Sequence, residues 1–173
     1  MGCGNFPGKR YKCYIEAQIA DYYTELSVEI FQKDVDFPLD DLYAVLTAMD
    51  ENDFNKLPEV YKNTFPENFD DDDYFEGMLG IKVINNPDSL WLYSDGSPNI
   101  ELIVNAVQAV MREHKSKCSV GFEWGYTCSK PRTDGFGGGA VFITRDSQDW
   151  LSTQGWLAGK RQDFPKTKDH GEK

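Results

Sequence analysis

The chain has 173 residues, of which 40% are hydrophobic, 14% aromatic and 27% charged, and its net charge is −11. These values fit one ordinary globular domain and argue against a membrane protein, a collagen-like fibre, a disulfide miniprotein and a fully disordered chain. The charge is lopsided: residues 34–76 hold 14 acidic side chains against Lys56 and Lys62, a net of −12, whereas residues 101–173 hold 9 acidic and 11 basic side chains.

Residues 1–10 contain no apolar run of signal-peptide length, which predicts a cytosolic chain. Gly2-Cys3 invites a lipidation reading, but the myristoylation pattern wants Ser or Thr where Phe6 stands. Residues 14–31 lack Gly, Pro and Asn. Ile15, Ile19, Tyr22, Tyr23, Leu26 and Ile30 fall near a helical stripe, while Cys13-Ile15-Ala17-Ile19 and Leu26-Val28-Ile30 also alternate, as two strands would. Without a turn signal between two possible strands, the expectation is a helix.

Pro38 and the acidic pair Asp40 and Asp41 suit a first helical turn. Leu39, Leu42, Tyr43, Leu46 and Met49 then form one apolar stripe, predicting a helix over residues 38–50. Asp53 can cap a further short helix carrying Phe54, Leu57 and Tyr61. The charge run Asp70, Asp71, Asp72 and Asp73 predicts an acidic linker over residues 66–77. It also suggests calcium, but the loop pattern of an EF-hand is missing, with neither the sixth-position glycine nor the terminal glutamate.

The second half changes character. Residues 80–84 and 89–94 predict two strands joined by the turn chemistry of Asn85-Asn86-Pro87-Asp88. Ser97-Pro98 is a helix-start signal, and Ile100, Ile103, Val104, Val107, Val110 and Met111 keep helical spacing, predicting a helix over residues 98–115. Residues 119–127 predict a strand with Val120, Phe122, Trp124 and Tyr126 on one face and Gly121, Glu123 and Gly125 on the other. Residues 140–144 predict a further strand, residues 149–157 a short helix or extended arm, and residues 160–173 a disordered tail. The fold expected is α+β: an antiparallel sheet of about four strands, ordered strand-strand-helix-strand-strand, with a mainly helical acidic part over residues 1–65 packed on it, all in a single domain over residues 1–159.

Residues 128–139 predict a long loop, and long loops tend to be functional. Gly135-Phe136-Gly137-Gly138-Gly139-Ala140 matches the letters of a dinucleotide fingerprint, but a strand follows where a helix is required, so that reading fails. Backbone amides of Gly137, Gly138 and Gly139, with Lys130 and Arg132, can cradle an anion. Alternatively the glycines let Phe136, Trp124 or another aromatic pack against bare backbone, which the residues favour. Cys128 beside Lys130 and Arg132 can act as a nucleophile. His114 and His170 are the only imidazoles, and His114 suits a helix C-terminus better than catalysis. His114, Cys118 and Cys128 match no closed zinc motif, and Cys118 and Cys128 lie too far apart along one strand for a disulfide. Glu123 on its strand is expected to pair with Arg145 on the neighbouring one.

Residues 122–144, with Cys128-Ser129-Lys130-Pro131-Arg132 and Phe136-Gly137-Gly138-Gly139-Ala140, resemble a block in bacterial and phage-type proteins of no assigned function. The resemblance runs from about residue 90 to residue 156 and covers little of the acidic half. It implies a bacterial or phage cytosolic setting and carries no activity.

The thin catalytic inventory and the acidic charge together predict a non-enzymatic acidic module that binds a basic protein surface, as a DNA-mimicking inhibitor of a nucleic-acid-handling or defence protein would. Direct nucleic-acid binding and membrane association are disfavoured by the same charge and composition, and no cofactor or metal is expected. The candidate binding residues are Asp70, Asp71, Asp72, Asp73, Cys128, Lys130, Arg132, Phe136, Gly137, Gly138 and Gly139. The alternative is an enzyme or small-anion site at residues 128–139. In a third, Phe136 anchors a protein contact.

Overall fold

The computed structural model describes residues 21–51, 55–62, 79–94, 96–130 and 135–163. The first element is a strand, β1 (Tyr22–Phe31). It is followed by a 3-10 turn (Gln32–Asp34), α1 (Leu39–Asp50) and α2 (Glu59–Lys62). Next come β2 (Lys82–Asn85), β3 (Ser89–Ser94) and α3 (Ile100–Glu113), and then β4 (Val120–Cys128), β5 (Gly137–Ile143), β6 (Gln148–Ser152) and α4 (Thr153–Asp163). The fold is α+β, with six antiparallel strands in the order β2-β3-β1-β4-β5-β6.

The sheet is larger than the expected four strands because β1 and β6 join it. The helix expected over residues 14–31 is corrected over residues 22–31; residues 14–20 lie outside the described residues. Leu26, Val28 and Ile30 alternate with Ser27, Glu29 and Phe31. Period two wins because a strand with neighbours on both sides buries those apolar residues against the helices. Among the described residues up to 62, β1 stands in the sheet beside α1 and α2. Residues 160–163, expected as tail, complete α4, and residues 164–173 lie outside the described residues.

β1 divides its pairing. Residues 26–31 pair with β3, whereas residues 22–26 pair with β4, so Leu26 is matched to Ser94 on one side and Trp124 on the other. The expected β2–β3 hairpin forms, with Val83 opposite Leu92 and Ile84 opposite Trp91.

α1 and α3 cover one face of the sheet. α3 buries Ile103, Val104, Val107, Val110 and Met111, and α1 buries Leu42, Val45, Leu46 and Met49 against Leu26, Ile30, Leu90, Leu92, Phe122 and Val141. α3 starts two residues later than the expected helix, because Asn99 rather than Ser97 caps it: Leu102 N–H donates to Asn99 Oδ1 at 3.1 Å. Its one buried polar side chain is fully used. Gln108 Nε2 donates to the carbonyls of Thr144 (2.9 Å) and Ser147 (3.2 Å), and Gln108 Oε1 accepts from Gln148 Nε2 at 3.0 Å. That cluster fixes α3 to the β5–β6 turn, at no cost in unsatisfied polar atoms.

α3 ends in a Schellman motif. Ser116 N–H reaches the Met111 carbonyl at 2.8 Å and Lys115 N–H the Arg112 carbonyl at 3.1 Å, with Lys115 at a positive φ of 50°. The segment that follows is clamped by Asp36, whose carboxylate accepts from Ser116 Oγ and, at 2.8 Å, from Lys117 N–H. The contact ties the chain after β1 to the chain before β4. No helix among the described residues is long and apolar enough to cross a membrane.

Candidate functional site: the outer face of the sheet

With one face of the sheet covered by helices, the alternate residues of each strand point the other way. Leu90 and Leu92 are buried, so Trp91 and Tyr93 face outward. By the same parity Glu25, Ser27 and Glu29 of β1, Glu123 and Gly125 of β4, Phe142 of β5 and Asp149 of β6 share the outer face. The core residues of α1 and α3 pack on the opposite face. Four carboxylates, Glu25, Glu29, Glu123 and Asp149, stand on this face, against Lys82 as the one basic residue among the outward strand positions described.

Aromatic rings alternate with the carboxylates. Trp91 and Tyr93 stack with centroids 4.6 Å apart, and Trp91 Nε1 donates to Ser27 Oγ at 3.1 Å, which lays the indole across β1. The rings already hold cations of the chain itself: Lys82 Nζ sits 5.8 Å from the Tyr93 centroid and Lys33 Nζ 5.1 Å from that of Phe31. Two of the carboxylates are anchored, Glu29 by Ser89 Oγ (2.6 Å) and Glu25 by Thr127 Oγ1 (3.2 Å). Glu123 makes no hydrogen bond or ion pair among the described residues.

Two shallow troughs indent this face. One, of about 580 Å³, is lined by Glu25, Ser27, Trp91, Tyr93, Glu123 and Gly125. The other, of about 640 Å³, is lined by Gly121, Glu123, Ala140, Phe142, Asp149 and Leu151. Glu123 is the wall between them.

The residues singled out from sequence fall elsewhere. Asp70, Asp71, Asp72, Asp73 and the linker over residues 66–77 lie outside the described residues, as do Asp53, Phe54 and Arg132. Four of the described carboxylates of residues 34–59 are engaged within the fold. Asp36 clamps Ser116 and Lys117, Asp40 accepts from Asn85 Nδ2 at 3.2 Å, Asp41 meets His114 Nε2 at 2.7 Å, and Glu51 pairs with Lys56 at 2.6 Å. His114, at the end of α3, thus fastens that helix to α1.

The long loop is shorter than expected. β4 runs to Cys128 and β5 begins at Gly137, so Gly137, Gly138 and Gly139 are strand residues opposite Tyr126, Gly125 and Trp124. Gly138 N–H donates to Thr153 Oγ1 at 3.0 Å and is not free to hold an anion. Gly139 provides the room for the Trp124 indole, the aromatic-on-bare-backbone arrangement the residues favoured. Phe136 stands 60% exposed. Cys118 and Cys128 are free thiols, and Cys128 closes β4 about 26 Å from Val120 at ~3.3 Å per residue. Glu123 pairs across the ladder with Ala140, not with Arg145, whose guanidinium binds Asp146 at 2.8 Å. The β5–β6 turn carries Arg145 past the end of the ladder, and its immediate neighbour takes the charge.

Among the described residues no group of three or more His, Cys, Asp or Glu side chains is placed to hold a metal ion. The chain matches no family model, no curated protein and no solved structure.

Proposed function

We propose that the chain is a non-enzymatic acidic module that binds a basic protein surface, of the kind presented by nucleic-acid-handling or defence proteins, and that it does so with the outer face of its sheet. The observation that supports this most is the pattern on that face, four carboxylates interleaved with Trp91, Tyr93 and Phe142, with Lys82 as the one basic residue among the described outward strand positions. Carboxylates give attraction and orientation to a basic partner, and the rings give contact area that tolerates a cation. A nucleic acid would meet the same face as a repulsive surface. The net charge of −12 over residues 34–76 adds long-range attraction.

The test is displacement of labelled duplex DNA from a purified histone. The chain displaces DNA at about 0.1 M salt, where screening acts over about 10 Å, and loses this ability as salt rises several-fold. Glu123→Lys with Asp149→Lys weakens the displacement. Failure to displace at low salt, or indifference to salt, overturns the reading.

A further inference from the structure

We propose that the trough over Gly125 seats one arginine side chain of the basic partner, with its guanidinium stacked on Trp91 and forked onto Glu123. This rests on the reading of the outer face above and adds the chemical identity of its anchor.

Three observations converge on the same spot. Trp91 is held in place by its bond to Ser27 and by its stack on Tyr93, so the ring is a fixed platform and not a mobile side chain. Glu123 stands at the opposite wall with no partner among the described residues, and Glu25 completes the acidic rim from β1. Between them the floor is empty: a β carbon built on Gly125 meets nothing within 4 Å. Ring, carboxylate and open floor together fit a flat cation.

Arginine fits this arrangement better than lysine. Its guanidinium is planar, weakly hydrated and stacks on indole, and its donors form two parallel bonds to one carboxylate. An ammonium is a compact, strongly hydrated point charge that gains less from a ring face in a shallow, open trough. The chain's own Lys82 sits over Tyr93, at the rim, and is not among the residues that line the trough between Trp91 and Glu123.

The experiment is an amide and indole NMR titration of the whole chain with acetyl-Ser-Gly-Arg-Gly-Ser-amide and with its lysine counterpart. The arginine peptide moves the Trp91 indole N–H and the Glu123 and Gly125 amides, and binds more tightly than the lysine peptide. Glu123→Gln weakens it by about fivefold, the upper end for one exposed ion pair. Gly125→Leu, which fills the floor, weakens it similarly while the melting temperature is unchanged. Glu101→Gln, the same charge change on α3 behind the sheet, leaves it unaltered. Equal affinity for the two peptides, or equal effects of Glu123→Gln and Glu101→Gln, overturns the arginine seat even where the histone displacement succeeds. If Gly125→Leu does not fold, Glu123→Gln still decides.

Discussion

Trp124 lies across Gly139, its direct partner on β5, so closely that a β carbon on the glycine would clash with the indole at Trp124 Cζ2. The indole is fixed from three sides. Its Nε1 donates to Tyr126 Oη at 2.9 Å, the Trp150 ring meets it edge-on at 5.8 Å, and Phe122 stands 6.3 Å away. Gly138 has the same constraint from the backbone, since a β carbon there would meet the Trp124 carbonyl at 2.5 Å. A ring locked this way cannot swing aside for a methyl group.

Gly139→Ala is therefore expected to destabilise the chain by about 1–3 kcal/mol, the usual cost of overpacking. Gly125→Ala, on the neighbouring strand with open space at its β carbon, is expected to change stability by about 0.5 kcal/mol or less. Urea unfolding of the two variants checks the contrast. Equal losses would mean that the glycines matter for strand conformation and not for the ring.

Much of this architecture is legible in the residues. β3 occupies the expected residues 89–94, and α1 and α3 follow apolar stripes that identify both the helix and its buried face. Those signals are local. β1 is misjudged because its stripe fits two periods and its partners lie about sixty and a hundred residues away, leaving no turn signal beside it. The outer site inherits that difficulty. Gly121, Glu123 and Gly125 are readable as one face of a strand. That Glu123 stands across a trough from Trp91 follows only once β1 is inserted between β3 and β4. The glycines of β5 are ambiguous for another reason, since the bare backbone that permits a loop also permits an indole.

Lys115 occupies the left-handed position of the Schellman motif that ends α3, with φ of 50°. A side chain with a β carbon is strained there, and glycine is not. Lys115→Gly is expected to stabilise the chain by roughly 0.5–1 kcal/mol, despite the added freedom of glycine in the unfolded state. Thermal unfolding at neutral pH checks the sign. A loss of stability would show that the lysine charge at the helix end outweighs the relief of strain.

The Tyr61 hydroxyl is buried and, among the described residues, makes no hydrogen bond of good geometry, with the Asp41 carboxylate the near acceptor. Burial, and then the charges of Asp41 and Glu113, push its pKa up to about 12 from 10.0. Removing an unsatisfied buried hydroxyl while keeping the ring leaves the packing intact, so Tyr61→Phe is expected to be neutral or stabilising by up to about 1 kcal/mol. In the wild type the unfolded chain loses the phenolic proton first, so stability is lost as pH rises from about 10 towards 12. Tyr61→Phe should flatten that part of the profile, and a profile unchanged by the variant would place the hydroxyl in contact with water.

Asp36 gives the opposite dependence at the acid end. The hydrogen bonds from Ser116 Oγ and Lys117 N–H favour its ionised form and lower its pKa from 3.8 to about 2. As pH falls below 3.8 the unfolded carboxyl takes up a proton while the folded one stays ionised. The contribution of the clamp is therefore complete above 3.8 and disappears as pH falls through about 2. Asp36→Asn is expected to lower stability at neutral pH and to make the loss between pH 4 and pH 2 shallower than in the wild type. Denaturant unfolding of both proteins across that interval measures the difference in slope. Parallel profiles would mean that the Asp36 carboxyl is as readily protonated in the folded chain as in the unfolded one, and that the tie between the chain after β1 and the chain before β4 does not depend on its charge.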